Sequence, residues 1–156
     1  MNEESRAKDL FVPGSRIYTH LAKCCLQRII ESPELHSLPD KQEDMSASEK
    51  CPRTAIAELD YLLCAAAIDD EIVEFTHKGG WHKIDMVLSK PSGYSIIFSN
   101  DWARASQWIC GLCYIADRLK KRRPEAAAIM SKYLKKWEPS IDEMYPRGSR
   151  FRCRLN

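Results

Sequence analysis

The apolar positions of this chain recur at intervals of three and four, the spacing that gives a helix one continuous apolar face. Ile17, Leu21, Cys24, Cys25 and Ile29 form such a stripe after Pro13-Gly14, with Ser15 as a plausible N-cap, and predict a first helix over 15–31. Ser32-Pro33 ends it, because proline removes a backbone donor and restricts the residue before it. Residues 32–51 are polar and broken by Pro33 and Pro39, and read as a mobile loop; residues 1–14 read as a flexible lead-in. A second helix is expected from about Pro52, carrying Ile56, Leu59, Leu63 and Ala66 or Ala67. It continues with a bend through Ile68, Ile72 and Phe75 to Lys78-Gly79-Gly80.

Trp81, Ile84, Val87 and Leu88 share one side of a short helix that ends before the turn at Pro91-Ser92-Gly93. Tyr94 to Phe98 has strand-like composition but no strand to pair with, so a helical turn or an extended lead-in is expected there. The longest apolar stripe follows: Ala105, Ile109, Leu112, Ala116 and Leu119, within a helix over 101–121. A last helix opens at Pro124-Glu125 with Ala126, Met130, Tyr133 and Trp137 on one face, broken or kinked at Glu138-Pro139. No internal repeat occurs. The pattern predicts an all-α bundle of six or seven elements, in a single domain spanning 1–156.

Composition narrows the class. The 156 residues are 44% hydrophobic and 29% charged, with a formal net charge of +2, as expected of a folded, water-soluble chain. No apolar run is long enough to span a bilayer, and the polar start lacks a signal-peptide core. Any hydrophobic tail of the natural protein would lie outside these residues. Seven cysteines without regular spacing point to a reducing, cytosolic compartment rather than a disulfide framework.

The chemistry concentrates at Asp101-Trp102-Ala103-Arg104, where the longest apolar helix begins. A guanidinium in the first turn of a central helix either points to solvent, the ordinary reading, or waits at a cleft for an acidic partner. Trp102 and Trp108 read first as core. Cys110-Gly111-Leu112-Cys113 is a CxxC, which raises a thiol or metal reading. With no second pair and no histidine at ligand spacing, the two cysteines read more simply as small core residues. His20, His36, His77 and His82 form no metal-binding array. The Lys120–Arg123 run could meet nucleic acid or anionic lipid, but reads more simply as a solvated turn with cations at a helix C-terminus. No phosphate loop or nucleophile motif is present, so neither an enzyme, a cofactor, a metal nor a nucleic-acid partner is expected.

Two segments resemble the Bcl-2 family of apoptosis regulators. Asp101-Trp102-Ala103-Arg104 resembles the family's asparagine-tryptophan-glycine-arginine signature. Met130-Ser131-Lys132-Tyr133-Leu134 with Trp137-Glu138-Pro139-Ser140-Ile141 resembles the sixth helix and the glutamate-proline entry to homology region 2. Met144-Tyr145-Pro146-Arg147-Gly148 stands where the family has glycine-glycine-tryptophan. The family's homology region 3 has a leucine, then a small residue and an aspartate four and five positions on. Asp60 lies at a suitable distance from Trp102 without the small residue, and Asp69 and Asp70 are the other candidates.

The resemblance implies a Bcl-2-like bundle with a central hydrophobic helix and a surface groove that takes an amphipathic death-motif helix from a pro-apoptotic partner. Arg104 would then pair the ligand's aspartate, Trp102 and Ala103 would shape the helix start, and Asp101 would orient Arg104 or cap the helix. Ile72, Phe75, Met86, Val87, Ile96 and Ile97 are the candidate groove walls, although their composition equally suits a core. The implied role is non-catalytic and pro-survival, in the cytosol or at the cytoplasmic face of the mitochondrial outer membrane, with membrane association through a tail outside this chain. A pore-forming, pro-apoptotic relative is the alternative. A small cytosolic thiol or metal protein using Cys110 and Cys113 is the reading from another class.

Overall fold

The fold is described from a computed structural model, over residues 13–33, 35–39 and 42–144. Among these residues all regular structure is helical: α1 (Gly14–Glu31), α2 (Ala47–Ala57), α3 (Leu59–Ala65), α4 (Asp70–His77), α5 (Gly80–Leu88), α6 (Gly93–Phe98), α7 (Trp102–Lys120) and α8 (Pro124–Met144). Short 3-10 turns at Leu35–Ser37 and Gln42–Asp44 join α1 to α2. No described helix is long and apolar enough to cross a membrane. The expected lead-in at 1–14 lies outside the described residues except for Pro13 and Gly14.

Helix boundaries follow local chemistry. Ser32 is extended before Pro33, which ends α1. Ser46 and Glu49 form a reciprocal capping box, with the Ser46 amide donating to Glu49 at 2.7 Å. That box starts α2 five residues before Pro52, the expected start. The interval 32–51 is correspondingly not a uniform mobile loop. Leu35, Leu38 and Met45 are buried in the core, and removing their apolar area from water anchors the described parts of this interval. The continuous second helix expected from Pro52 to Phe75 is three helices. It pauses at Glu58 and breaks again where Asp69 caps α4 by accepting from the Ile72 amide at 3.2 Å. α8 runs through Pro139 without a break.

α7 packs against α3, α6 and α8, and α1 lies across α2, α3, α4 and α5. Ala105, Ile109, Leu112, Ala116 and Leu119 of α7 are all buried, as the stripe predicted, and Trp108 beside them is fully enclosed. Its opposite face is open to solvent at Ala103, Gln107, Tyr114 and Asp117, so the helix is amphipathic rather than enclosed. The α1 stripe is rotated from expectation. Ala22, Leu26 and Ile29 are buried, while Ile17 and Leu21 are exposed. A buried polar node ties α5 to α8: Asp85 accepts from the Trp137 indole at 2.8 Å and from Lys136 at 2.6 Å. Burial works against its charge, but these donors hold its carboxyl below the usual carboxylate range.

The α5–α6 turn depends on Gly93, where a Cβ would lie 2.2 Å from the Val87 carbonyl oxygen and 2.8 Å from Leu88 Cα. Backbone cannot give way as a flexible side chain can, so Gly93→Ala should cost about 1–3 kcal/mol or more. Gly14→Ala meets nothing within 4 Å and should be neutral or slightly stabilising. Thermal denaturation followed by circular dichroism checks the contrast; similar melting temperatures for the two variants would contradict it.

Candidate functional site

The start of α7 is reached through two consecutive left-handed residues, Ser99 (φ 54°) and Asn100 (φ 62°). Such conformations are costly for non-glycine residues and persist where neighbours fix them. Ser95 donates its hydroxyl to the Asn100 side-chain oxygen at 2.8 Å. Arg53 of α2 donates to the Ile96 carbonyl at 2.7 Å, the Ile97 carbonyl at 3.2 Å and the Ser99 hydroxyl at 3.0 Å. The C-terminal carbonyls of α6 are thereby capped by a cation from another helix. Asp101 then caps α7, accepting from the Arg104 amide at 3.0 Å. This settles its local role as a cap on the backbone of Arg104.

The Arg104 guanidinium is not waiting for a carboxylate; it already holds one. It grips Asp60 of α3 in a two-point clasp, Nη2 to Oδ1 at 2.7 Å and Nη1 to Oδ2 at 3.1 Å. Nη2 also donates to the Ala57 carbonyl at 2.5 Å. The side chains are 25% and 10% exposed, so the pair is largely withdrawn from water. The bonds to Asp60 favour the charged guanidinium against the opposing effect of burial and raise its pKa. Trp108, one turn on, donates to the Ile56 carbonyl at 2.8 Å. Two α7 side chains thus satisfy the carbonyls at the α2–α3 joint.

Gly111 makes the close approach possible. A Cβ there would lie 2.9 Å from Asp60 Cβ and 3.1 Å from its Oδ2. Sequence reasoning took Gly111 only as a spacer within CxxC, although a glycine inside a strong helical pattern signals close backbone packing. Of the three candidate aspartates, Asp60 is the one at Arg104. Asp69 caps α4 and pairs with Lys23, and Asp70 pairs with Arg123.

The expected groove walls do not form an open surface. Ile72, Phe75, Val87, Ile96 and Ile97 are all buried in the common core, where aliphatic and aromatic area is removed from water. Met86 alone of the six is exposed, at 42%. Phe75 borders a cleft of about 330 Å³ between α1 and α4, and a second cleft of about 790 Å³ lies near the end of α7. Neither is lined by Arg104. Trp102 is half-buried against the core, its ring 6.3 Å from that of Tyr94, and Ala103 is exposed.

The two cysteines of the CxxC differ in state: Cys110 is disulfide-bonded, against the expectation of a reduced core residue in a chain without disulfides. Cys113 is a buried free thiol, which burial pushes up to about 12, far from the thiolate a nucleophile or metal ligand requires. Among the described residues no group of three or more His, Cys, Asp or Glu is placed to hold a metal ion.

No model of a known protein family matches this chain significantly, nor does any curated protein or solved structure.

A double-mutant cycle measures the clasp. Arg104→Ala or Asp60→Ala should each cost about 2–4 kcal/mol, somewhat below a fully buried pair because some solvent reaches the site. The double variant should lose less than the sum, with a coupling of about 1 kcal/mol or more. Chemical denaturation provides the values; additive losses would contradict a direct clasp.

Proposed function

We propose that this protein is a non-catalytic regulator of the Bcl-2 type, which binds an amphipathic death-motif helix of a pro-apoptotic partner and restrains apoptosis at the mitochondrial outer membrane. The observation that carries the reading is the two-point clasp between Arg104 and a carboxylate on a neighbouring helix. A cation at the first turn of α7, capped through its own amide by Asp101 and bound end-on by a helix-borne aspartate, is a receptor for one such aspartate. The order of the helices and the tryptophan-arginine start of α7 support the same reading.

The receptor is self-occupied. A partner aspartate takes the place of Asp60, and α3 moves aside with Leu59 and Leu63, both buried in the resting state. Exchange of one carboxylate for another is nearly neutral for the guanidinium. The net affinity therefore comes from the apolar residues of the incoming helix against those of α3. The closed state lowers the apparent affinity by the fraction of molecules that are open. This replaces a preformed groove walled by Ile72, Phe75, Val87, Ile96 and Ile97 with a site opened by displacement of α3.

The location of Asp60 on the chain's own helix also favours a second reading, a pore-forming relative in which α3 of one copy meets Arg104 of another. Dye release from liposomes on adding an activating helix separates it from the sequestering role, which gives no release.

Calorimetric titration with amphipathic death-motif peptides tests the proposal. Wild type should bind, Arg104→Ala should bind at least about tenfold more weakly, and Asp60→Asn, with its latch loosened, about tenfold more tightly, each step being roughly 1.4 kcal/mol. Circular dichroism checks that each variant is folded. Absence of binding by folded wild type and folded Asp60→Asn alike, or equal affinity in all three proteins, would overturn the reading.

A further inference from the structure

The cleft of about 790 Å³ near the end of α7 has the size of a small-molecule site and is independent of Arg104. Its apolar wall includes Ile68, Val73 and Leu119. Its shape is fixed by the α3–α4 linker, which is pinned to α1 where the Ala67 amide donates to the Thr19 hydroxyl at 2.9 Å.

The charges around it do not balance. Each aspartate of the lining has a cation of its own: Asp69 with Lys23 at 2.5 Å, Asp117 with Lys120 at 2.9 Å, and Asp70 with Arg123. Arg118, Lys121 and Arg122 have no carboxylate at ion-pair distance among the described residues. Arg118 lies over the ring of Tyr114, 5.7 Å from its centroid, and donates to the Cys64 carbonyl at 3.4 Å. That ring is 56% exposed beside the cleft. An unneutralised set of three cations next to an aromatic face and an aliphatic wall has the chemistry of a phosphate site with room for an organic body.

We propose that this cleft binds an organic phosphate, its anionic oxygens at Arg118, Lys121 and Arg122 and its apolar or aromatic body against Tyr114 and the Ile68–Val73 wall. A soluble phosphate ester and a phospholipid headgroup share this chemistry, and two probes distinguish them. Isothermal titration with ATP and with inorganic triphosphate tests the soluble source. Sedimentation with phosphatidylcholine vesicles, with and without phosphatidic acid, tests the headgroup.

The variants are Tyr114→Ala and the pair Lys121→Glu with Arg122→Glu, all at exposed positions away from Arg104. A failure here therefore leaves the clasp untouched. Saturable ATP binding that the charge-reversed protein loses by about tenfold or more, and that weakens as salt rises, supports a soluble ligand. Cosedimentation only with phosphatidic acid vesicles, lost on charge reversal, supports a headgroup. For a soluble ligand, Tyr114→Ala should weaken ATP but not triphosphate; ATP binding no tighter than triphosphate would overturn the part given to the organic body. Binding of neither probe, or binding indifferent to charge reversal, would overturn the site.

Discussion

The clasp between Arg104 and Asp60 is the contact through which this bundle is organised. It joins the first turn of the core-forming helix to the joint between α2 and α3, and the same guanidinium takes up the Ala57 carbonyl. A charge so far withdrawn from water is tolerable only with its partner in place, so the register of α3 on α7 is set by this pair. Gly111 lets the two backbones come close enough, and Trp108 anchors the preceding carbonyl of the same joint. The left-handed pair Ser99-Asn100, held through Arg53 and Ser95, leads directly into the first turn of α7 that carries Arg104.

Much of this was legible from periodicity and punctuation. The apolar stripe from Ala105 to Leu119, the glycine stop at Gly79 and the proline start of α8 each have a local cause, and each fell where expected. Local patterns failed where two apolar faces competed. On α1, both Ile17-Leu21-Cys24 and Tyr18-Ala22-Cys25-Ile29 keep helical spacing. The fold turns the second inward, with Ala22 and Ile29 buried and Tyr18 and Cys25 half-buried against the core. Residues 32–51 look polar on average, yet single leucines and Met45 within them reach the core, a tertiary effect that an average hides.

For the candidate site, sequence picked out the cation but not its state. Arg104 stood out because a charge at the head of an apolar helix needs an explanation. Asp60 was one of three candidate aspartates, and spacing alone could not choose among them. Residues 44 positions apart meet only through the packing of α3 on α7. The expected groove walls failed for a related reason: aliphatic residues suit a ligand surface and a core equally, and Ile72, Val87, Ile96 and Ile97 were already needed to close the bundle. The clasp shows Arg104 already paired within the chain, so under the proposed function a partner aspartate reaches it only if α3 leaves.

Nuclear magnetic resonance of the Arg104 guanidinium, with an isotopically labelled aspartate in an added death-motif peptide, tests that exchange most directly. In the free protein the Arg104 side-chain N–H signals should be resolved and slow to exchange with water. On binding, they should report contact with the peptide aspartate, while Asp60 becomes accessible to solvent. A peptide that binds while Arg104 stays on Asp60 would contradict the account.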